Sequence, residues 1–309
     1  MSEIKPHLSV YSLLQKQLPS FDAKRLFHGR GGLTLGFEQI NIEVYPPVLW
    51  VMIYQDIDEA PLMDLLRMLV ENMEAFSIEA IYIQRRYMPG NPVEVFAGSD
   101  TYLDKDLLVE EEGLRYQVNL GRNQNTGLFL DMRNGRQWVR ENSDNKKVLN
   151  LFSYTCSLGL AAAVGGAKAV VNLDMSKSVM KRGQQNFALN DINANGMVFI
   201  AQDVFKMIKK LTQKGPFDLL ICDPPSFQGK SFDVKKDYEK VLIKIAPALA
   251  RNAQLMLCLN SPALSQAFIL DIVARTIPQA RFIQRLANPD VLADSTEEAS
   301  LKVMLFQLE

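Results

Sequence analysis

The feature that most constrains the fold is a series of short apolar segments from residue 146 onward, separated by segments of helical period. The apolar segments are KKVLNLF, AVVNLDM, MVFIAQD, FDLLICD and QLMLCLN. Near-continuously apolar strands that alternate with helices are typical of a parallel sheet covered on both faces. We therefore predict an α/β fold whose ligands bind at the carboxyl ends of the strands.

The chain ahead of this series predicts a smaller α+β unit between residues 39 and 100. QINIEVYPPVLWVMIYQ reads as paired strands, APLMDLLRMLVENMEAF as a helix and SIEAIYIQRRY as another strand. A segment rich in turn-forming and charged residues follows, so we place the domain boundary near residue 112. The expected domains are 1–112, a small α+β domain that could recognise the substrate, and 113–309, the α/β domain.

Composition limits the class of protein and its surroundings. The chain is 48% hydrophobic with a net charge of −1, so nucleic-acid binding would need a local basic face. The N-terminus lacks the apolar core of a signal peptide and no run is long enough to span a bilayer, so we expect a cytoplasmic protein without a membrane partner. Its three cysteines and two histidines are widely separated, which argues against a disulfide framework or a metal site.

Acidic residues follow three successive predicted strands. Asp174 lies about 25 residues after the first strand, where acidic side chains reach ribose hydroxyls in nucleotide-binding α/β folds. Asp203 could accept a hydrogen bond from an adenine amine, and Asp223 begins the sequence Asp-Pro-Pro-Ser-Phe. Asp174 and Asp203 could equally cap the helices that follow them, and Phe152 or Tyr154 could be ordinary core aromatics. The combination with the Pro-Pro turn favours a ligand site.

The loop after the first strand narrows the ligand further. FSYTCSLG, residues 152–159, lacks the G-x-G-x-x-G pattern that lets a pyrophosphate approach a helix N-terminus. The chain also contains no G-x-x-x-x-G-K-[ST] phosphate-binding loop. These two absences favour a nucleoside-like ligand without phosphate.

Five segments in this order resemble the motifs of a known family. They are TGLFLDMR (126–133), LNLFSYTCSLGLAAAVGGA (149–167), LDMS (173–176), FDLLICDPPSF (217–227) and KKDYEKVL (235–242). The chain is similar to class I RNA base methyltransferases that modify 23S ribosomal RNA, in particular the guanine-N7 domain of the bifunctional RlmKL-type enzyme and RlmI-like methyltransferases. The resemblance implies a Rossmann-like class I sheet, S-adenosylmethionine as cofactor with S-adenosylhomocysteine as product, and ribosomal RNA as partner. It leaves a monomer or a homodimer open.

The resemblance also implies roles for individual residues. The first loop would wrap the methionine moiety, LDMS would hold the ribose, Asp203 would mark the adenine, and Asp223 would mark the face where methyl donor and base meet. Phe227 would stack on a base pulled out of the RNA. An ordinary surface ion pair is the alternative for Asp131 and Arg133. The implied catalytic residues are Asp223, Pro224, Pro225 and Phe227. The implied cofactor-binding residues are Thr126, Gly127, Phe129, Asp131, Arg133, Phe152, Ser153, Tyr154, Asp174, Met175, Ser176, Asp203, Val204 and Asp223.

The methylated atom depends on whether a cysteine nucleophile is available. Carbon 5 of a pyrimidine needs covalent activation by a thiolate, and Asn260 occupies the position of that cysteine in the family members that methylate carbon 5. We therefore expect methylation of a base nitrogen, guanine N7 above all, by alignment of the acceptor with the methyl group. Three alternatives stay open: a cytosine-C5 methyltransferase that uses Cys258, a small-molecule or protein methyltransferase, and a regulatory module without activity.

Two groups of basic residues are candidates for RNA contacts, although a solvated helix face explains the lysines equally well. They are Lys230, Lys235, Lys236, Lys240 and Lys244, and Lys24, Arg25, Arg30, Arg85 and Arg86. The HGRGG segment, His28 to Gly32, is expected to be a flexible basic loop, and the sequence gives it no role.

Overall fold

The computed structural model describes residues 5–122, 124–229 and 231–309, which form two compact units. The N-terminal unit is Met1–Asp131 with Pro289–Glu297, and the C-terminal unit is Met132–Asn288 with Glu298–Glu309. The boundary expected near residue 112 falls instead in a hairpin turn between two strands of the N-terminal unit. The charged, turn-rich sequence there closes this hairpin and does not link domains.

The N-terminal unit is an α+β structure around a five-stranded sheet of order β1-β2-β3-β4-β5. The β3 and β4 pair is parallel and the other pairs are antiparallel; β6 and β7 form a separate hairpin. The elements are α1 (Pro6–Gln15), β1 (Lys24–His28), β2 (Ile40–Tyr45), β3 (Val48–Ile53), α2 (Ala60–Glu71), β4 (Ala80–Arg85), β5 (Val93–Gly98), α3 (Thr101–Asp104), β6 (Asp106–Glu111) and β7 (Leu114–Asn119).

The two faces of this sheet differ in polarity because side chains alternate along a strand. Ile42 and Val44 join an apolar core with residues of α1 and α2. Glu43, between them, is buried on the opposite face, where its Oε1 accepts hydrogen bonds from Arg25 Nε at 2.9 Å and Nη2 at 2.5 Å. Burial by itself lowers the pKa of Arg25, but Glu43 and Asp131 raise it by more, so Arg25 stays charged.

The C-terminal unit contains a seven-stranded sheet of order β10-β9-β8-β11-β14-β16-β15. The first five strands are parallel, and β16 is antiparallel to both neighbours. The elements are α4 (Arg133–Glu141), β8 (Lys147–Leu151), α5 (Ser157–Val164), β9 (Ala169–Asp174), α6 (Lys177–Leu189), β10 (Met197–Ala201), α7 (Val204–Lys214), β11 (Phe217–Cys222), β12 (Phe227–Gln228), β13 (Phe232–Asp233), α8 (Val234–Ile245), β14 (Leu249–Leu259), α9 (Gln266–Thr276), β15 (Ala280–Leu286) and β16 (Lys302–Leu308).

This sheet is Rossmann-like, and the expected α/β class is confirmed. Successive residues of one strand enter different cores: Leu149 and Leu151 lie in one apolar cluster, and Val148 lies in the other. Helices therefore cover both faces, as the uniformly apolar strands predict. None of the helices in the described ranges combines the length and apolar character that crossing a membrane requires.

The buried Arg25–Glu43 pair gives a stability test. We expect Glu43→Gln to lower the free energy of unfolding by about 3 kcal/mol, because the largely buried Arg25 loses the carboxylate that it is hydrogen-bonded to. Asp64→Asn, which breaks the exposed Arg67–Asp64 pair, should cost under about 0.5 kcal/mol. Urea unfolding followed by tryptophan fluorescence in a Trp138→Phe background, which leaves Trp50 in β3 as the reporter, measures both. Equal losses in the two variants would contradict the assignment.

Candidate active site

Loops from four parallel strands meet at one edge of the C-terminal sheet. Leu151 pairs with Leu173 and with Cys222, and Ala201 pairs with Asp174, so β8, β9, β10 and β11 end at nearly the same level. Neighbouring strands lie about 4.8 Å apart. The sheet thus brings the loops that begin with Phe152, Asp174, Gln202 and Asp223 side by side.

The first of these loops has an unusual backbone. Phe152, Tyr154 and Cys156 have φ angles of 56°, 47° and 63°, the left-handed region that costs L-residues free energy. Ser153 N donates to Leu173 O at 3.0 Å, which holds the loop against β9. Every second residue of the loop from Phe152 to Cys156 is therefore held in a conformation that its surroundings must support. Tyr154 is half-buried, and the Phe152 ring packs at 4.9 Å against Phe232.

Asp174 joins the first loop to the second. Its Oδ2 accepts a hydrogen bond from Tyr154 N at 3.0 Å, and its Oδ1 accepts one from Ser176 N at 2.9 Å. The N-cap of α6 is Ser176, which accepts from Val179 N, so Asp174 does not cap this helix, although its bond to Ser176 N closes the turn ahead of it. Each carboxylate oxygen retains acceptor capacity, and the half-buried side chain can bind a ligand hydroxyl. Met175 beside it is 45% exposed.

Asp203 does cap a helix. It is the N-cap of α7, and its Oδ1 accepts a hydrogen bond from Lys206 N at 3.2 Å. Asp203 therefore caps the helix, as the alternative interpretation holds. The cap uses only Oδ1, so Oδ2 can still accept a hydrogen bond from a ligand. The side chain of Val204 lies in the apolar core, which leaves its backbone as the part that could face a ligand.

The Asp-Pro-Pro-Ser-Phe turn follows β11 and ends in an exposed aromatic. Pro224 is buried, Asp223 is half-buried, and Ser226 donates a hydrogen bond to the carbonyl of Asn260. Phe227 begins the β12–β13 hairpin, and its side chain is 69% exposed. The turn therefore places a carboxylate and a solvent-facing ring within five residues.

Tyr238 was not identified from the sequence, although it lies in the KKDYEKVL motif. Its buried hydroxyl lies 3.2 Å from the Cys222 carbonyl and 3.1 Å from the Cys258 carbonyl. It therefore links the carboxyl ends of β11 and β14, from which the Asp223 and Asn260 loops begin. Burial raises the pKa of Tyr238 well above its usual range, so the hydroxyl stays protonated and can donate.

Another unpredicted feature is a buried amide pair beneath the first loop. Asn150 Nδ2 donates to Asn172 Oδ1 at 2.9 Å between β8 and β9. A Cβ on Gly159 would lie 2.0 Å from Asn172 Oδ1, so α5 approaches the sheet closely at this glycine. Polar residues inside apolar strands were the available signal for this pair.

All three cysteines are buried. Burial raises the pKa of Cys156 to about 12 and raises that of Cys222 still further. Cys258 packs within the apolar cluster on one face of the sheet, which agrees with its interpretation as a small core residue. Among the described residues no cluster of three or more His, Cys, Asp or Glu side chains could hold a metal ion.

The segment 126–133 is divided between the two units. Thr126, Gly127, Phe129 and Asp131 lie in the N-terminal unit, and Arg133 begins α4. Thr126 Oγ1 lies 2.9 Å from the hydroxyl of Tyr45. Gly127 has a φ of 109°, a conformation that favours glycine. The role of this segment in cofactor binding stays a prediction.

The lysines near the Asp-Pro-Pro turn are partly neutralised. Lys236 Nζ lies 3.4 Å from Asp233, and Lys240 Nζ lies 2.8 Å from Asp237; Lys240 lowers the pKa of Asp237. Lys244 lies over the Phe205 ring. Lys230 lies outside the described residues.

Comparison with known proteins identifies the class of this fold and site. The family model of S-adenosylmethionine-dependent methyltransferases matches residues 24–307. The chain therefore belongs to this family and is an S-adenosylmethionine-dependent methyltransferase, as the sequence motifs predict.

Individual relatives are consistent with this assignment. A ribosomal RNA large subunit methyltransferase K/L from Psychrobacter arcticus is 35% identical over 221 residues, which cover 66% of this chain and only 28% of that protein. A putative SAM-dependent methyltransferase from Streptococcus mutans is 24% identical, with a TM-score of 0.83 over 98% of this chain and 81% of the other. A putative methyltransferase complexed with SAH is 23% identical, with a TM-score of 0.85 over 100% of this chain and 83% of the other. These two structures show the fold alone.

The described strand ends fit this cofactor chemically. S-adenosylmethionine carries ribose hydroxyls, an adenine amine and a cationic sulfonium but no phosphate. The Asp174 and Asp203 carboxylates are acceptors suited to hydroxyl and amine donors, and the first loop lacks a glycine-rich phosphate cradle. Bound there, the cofactor supplies a methyl group to a nucleophile.

We predict that Asp174→Asn weakens binding of S-adenosylhomocysteine about tenfold or more, because hydrogen bonds to a charged acceptor contribute about 1.5–3 kcal/mol. The NH₂ group of asparagine would also face one of the two backbone N–H groups that now donate to the carboxylate, so two donors would meet. Isothermal titration calorimetry measures the change. Asp271→Asn, an exposed acid of α9, is the control. Unchanged affinity in Asp174→Asn would exclude this carboxylate from the cofactor site.

Proposed function

We propose that this enzyme methylates a base nitrogen of ribosomal RNA, most specifically N7 of a guanine in 23S ribosomal RNA. The observation that carries the proposal is the 69% exposed ring of Phe227, which follows Asp223 at the carboxyl edge of the sheet. Enzymes that modify a base extrude it from the stack and hold it against aromatic side chains. An exposed ring beside a carboxylate at the ligand edge suits this task.

The chemistry of a base nitrogen needs little from the protein beyond alignment. Guanine N7 has a lone pair and no proton to lose, so attack on the methyl carbon requires no general base. The base becomes positively charged as the bond forms, and a carboxylate such as Asp223 stabilises that charge. Pro224 and Pro225 restrict the turn that carries Asp223 and Phe227, which supports alignment.

The burial of the cysteines favours nitrogen over carbon as the target. A thiolate nucleophile needs a lowered pKa and access to the base. Burial instead raises the pKa of Cys156 and Cys222, and Cys258 lies in the core. Buried thiols with a raised pKa act as packing residues, and methylation of a nitrogen needs no thiolate nucleophile.

Ribosomal RNA as substrate is supported by the K/L relative, which is a ribosomal RNA large subunit methyltransferase by name. The matched segment spans 28% of that relative, so the substrate of the whole relative carries over only as a proposal. Action on ribosomal RNA in turn supports the cytoplasmic location expected from the sequence. The near-neutral net charge of −1 favours the second candidate, a small-molecule or protein methyltransferase on the same fold.

The direct test is transfer of labelled methyl from S-adenosylmethionine to ribosomal RNA, followed by nucleoside analysis. We expect label on 7-methylguanosine with the wild type and at least a hundredfold lower rate with Asp223→Ala, since electrostatic stabilisation of this kind contributes about 10²–10³ in rate. Asp271→Asn is the control and should keep the wild-type rate. Label on another nucleoside would reject N7, and no label on ribosomal RNA with intact cofactor binding would favour the second candidate.

A separate prediction addresses the carbon-5 alternative. We expect Cys258→Ala to retain methyl transfer within about twofold, because the side chain is buried in an apolar cluster and the alanine cavity is small. The measurement is the same transfer assay, together with denaturing gel analysis for a covalent RNA–protein adduct. Loss of activity in Cys258→Ala, with an adduct that forms only when Cys258 is present, would establish the cytosine mechanism instead.

A further inference from the structure

The structure separates the arginines of the N-terminal unit into paired and unpaired ones. Arg25 is paired with the buried Glu43. Arg85 is bonded to Glu59, and its Nη2 donates to Glu94 at 2.9 Å. These two guanidiniums are committed to carboxylates inside the protein and are poor candidates for a ligand.

Arg30 and Arg86 have no carboxylate partner among the described residues, and both lie against Tyr54. Arg30 Cζ is 4.2 Å and Arg86 Cζ is 5.5 Å from the centroid of the tyrosine ring. Arg86 donates only to neutral acceptors, namely the Tyr54 hydroxyl at 3.2 Å, Gln124 O at 2.6 Å and Asn125 Oδ1 at 2.8 Å. Two positive charges therefore meet at one half-buried aromatic ring without a counter-charge.

The contact with the Tyr54 ring leaves the N–H groups of the exposed Arg30 available to a ligand. A cation held over the face of a ring uses none of its N–H donors. Arg30 is exposed to solvent, so its donors remain accessible. The Nε of Arg86 is buried and has no hydrogen-bond partner within the described part of the chain.

The turn that carries Arg30 is fixed by close packing, which corrects the expectation of a flexible loop. Gly29–Gly31 form a 3₁₀ turn. A Cβ on Gly29 would lie 1.8 Å from Phe37 O, and one on Gly31 would lie 2.1 Å from Ala293 O. Only glycine fits on either side of Arg30, and His28 Nε2 lies 3.2 Å from Asp294 Oδ1 beside the turn. The HGRGG motif therefore presents one arginine from a fixed backbone.

We propose that Arg30 and Arg86, held against Tyr54, form a contact site for the sugar–phosphate backbone of the RNA substrate; this site rests on the proposed function. The exposed guanidinium of Arg30 can bind phosphate oxygens through two parallel N–H groups. Arg86 contributes its positive charge, because its Nη groups already donate to Tyr54, Gln124 and Asn125, and a phosphate would supply the missing counter-charge. Two guanidiniums can neutralise about two phosphates, so the site is suited to a short stretch of the RNA backbone.

The test compares the wild-type 309-residue chain with the double variant Arg30→Gln/Arg86→Gln. Fluorescence anisotropy measures binding to a labelled single-stranded fragment of 23S ribosomal RNA over a series of KCl concentrations. We expect about tenfold weaker binding at low salt and a slope of log K against log salt reduced by about 1.4, since each phosphate contact on a single strand contributes about 0.7. The KM for ribosomal RNA in the methyl-transfer assay should rise in parallel. Affinity for S-adenosylhomocysteine should stay at the wild-type value.

Arg67→Gln is the matched control, because Arg67 is exposed on α2 and paired only at the surface; its salt slope should equal that of the wild type. Arg30→Gln alone removes one exposed side chain and should reduce the slope by about 0.7, which guards against a folding defect from Arg86→Gln. A double variant with the wild-type slope and KM overturns the contact site while the methylation of ribosomal RNA stands. A wild-type enzyme that neither binds nor methylates ribosomal RNA overturns the proposed function, and the contact site with it.

Discussion

The candidate active-site edge depends on the carboxylate of Asp174, which accepts hydrogen bonds from two backbone N–H groups. One oxygen holds Tyr154 N in the first loop, and the other holds Ser176 N at the start of α6. The hydrogen bonds fix the carboxylate on a strand end that is aligned with β8 and β10. The orientation that a ligand hydroxyl would need is thus set in advance by the backbone, and binding does not have to order a free side chain.

The same interaction helps to explain why the first loop tolerates three left-handed residues. Each such residue costs of the order of 1 kcal/mol or more, so the loop persists only if its surroundings hold it. Asp174 and Leu173 O hold the amides of Tyr154 and Ser153, and Gly183 allows Cys156 to pack closely against α6, where a Cβ would lie 2.5 Å from its Sγ. The contacts with β9 and α6 thus hold the left-handed residues in place.

The sequence was sufficient for the sheet and for the position of its acids, because both have local signals. Apolar strands with a helical period between them predict a parallel sheet, and Asp174, Asp203 and Asp223 each lie at or within two residues of a strand end. Features made by residues distant in sequence could not be predicted. The Asn150–Asn172 pair and the Tyr238 link form only once strands are neighbours. Likewise, Pro289–Glu297 belongs to the N-terminal unit, where Asp294 lies 3.2 Å from His28, a residue 266 positions away in the sequence.

The N-terminal sheet buries a network of charged and polar side chains on one face. Burying Arg25, Glu43 and Tyr45 has a cost that an apolar face would avoid, unless the groups satisfy one another. They do so in a chain that continues from Glu43 Oε2 through the Tyr45 hydroxyl, at 2.9 Å, to Thr126 Oγ1, at another 2.9 Å. A fully satisfied network specifies one geometry where apolar packing would tolerate several. The chain of hydrogen bonds therefore fixes the start of segment 126–133 relative to the five-stranded sheet. This fixed position offsets the cost of removing the polar side chains from water.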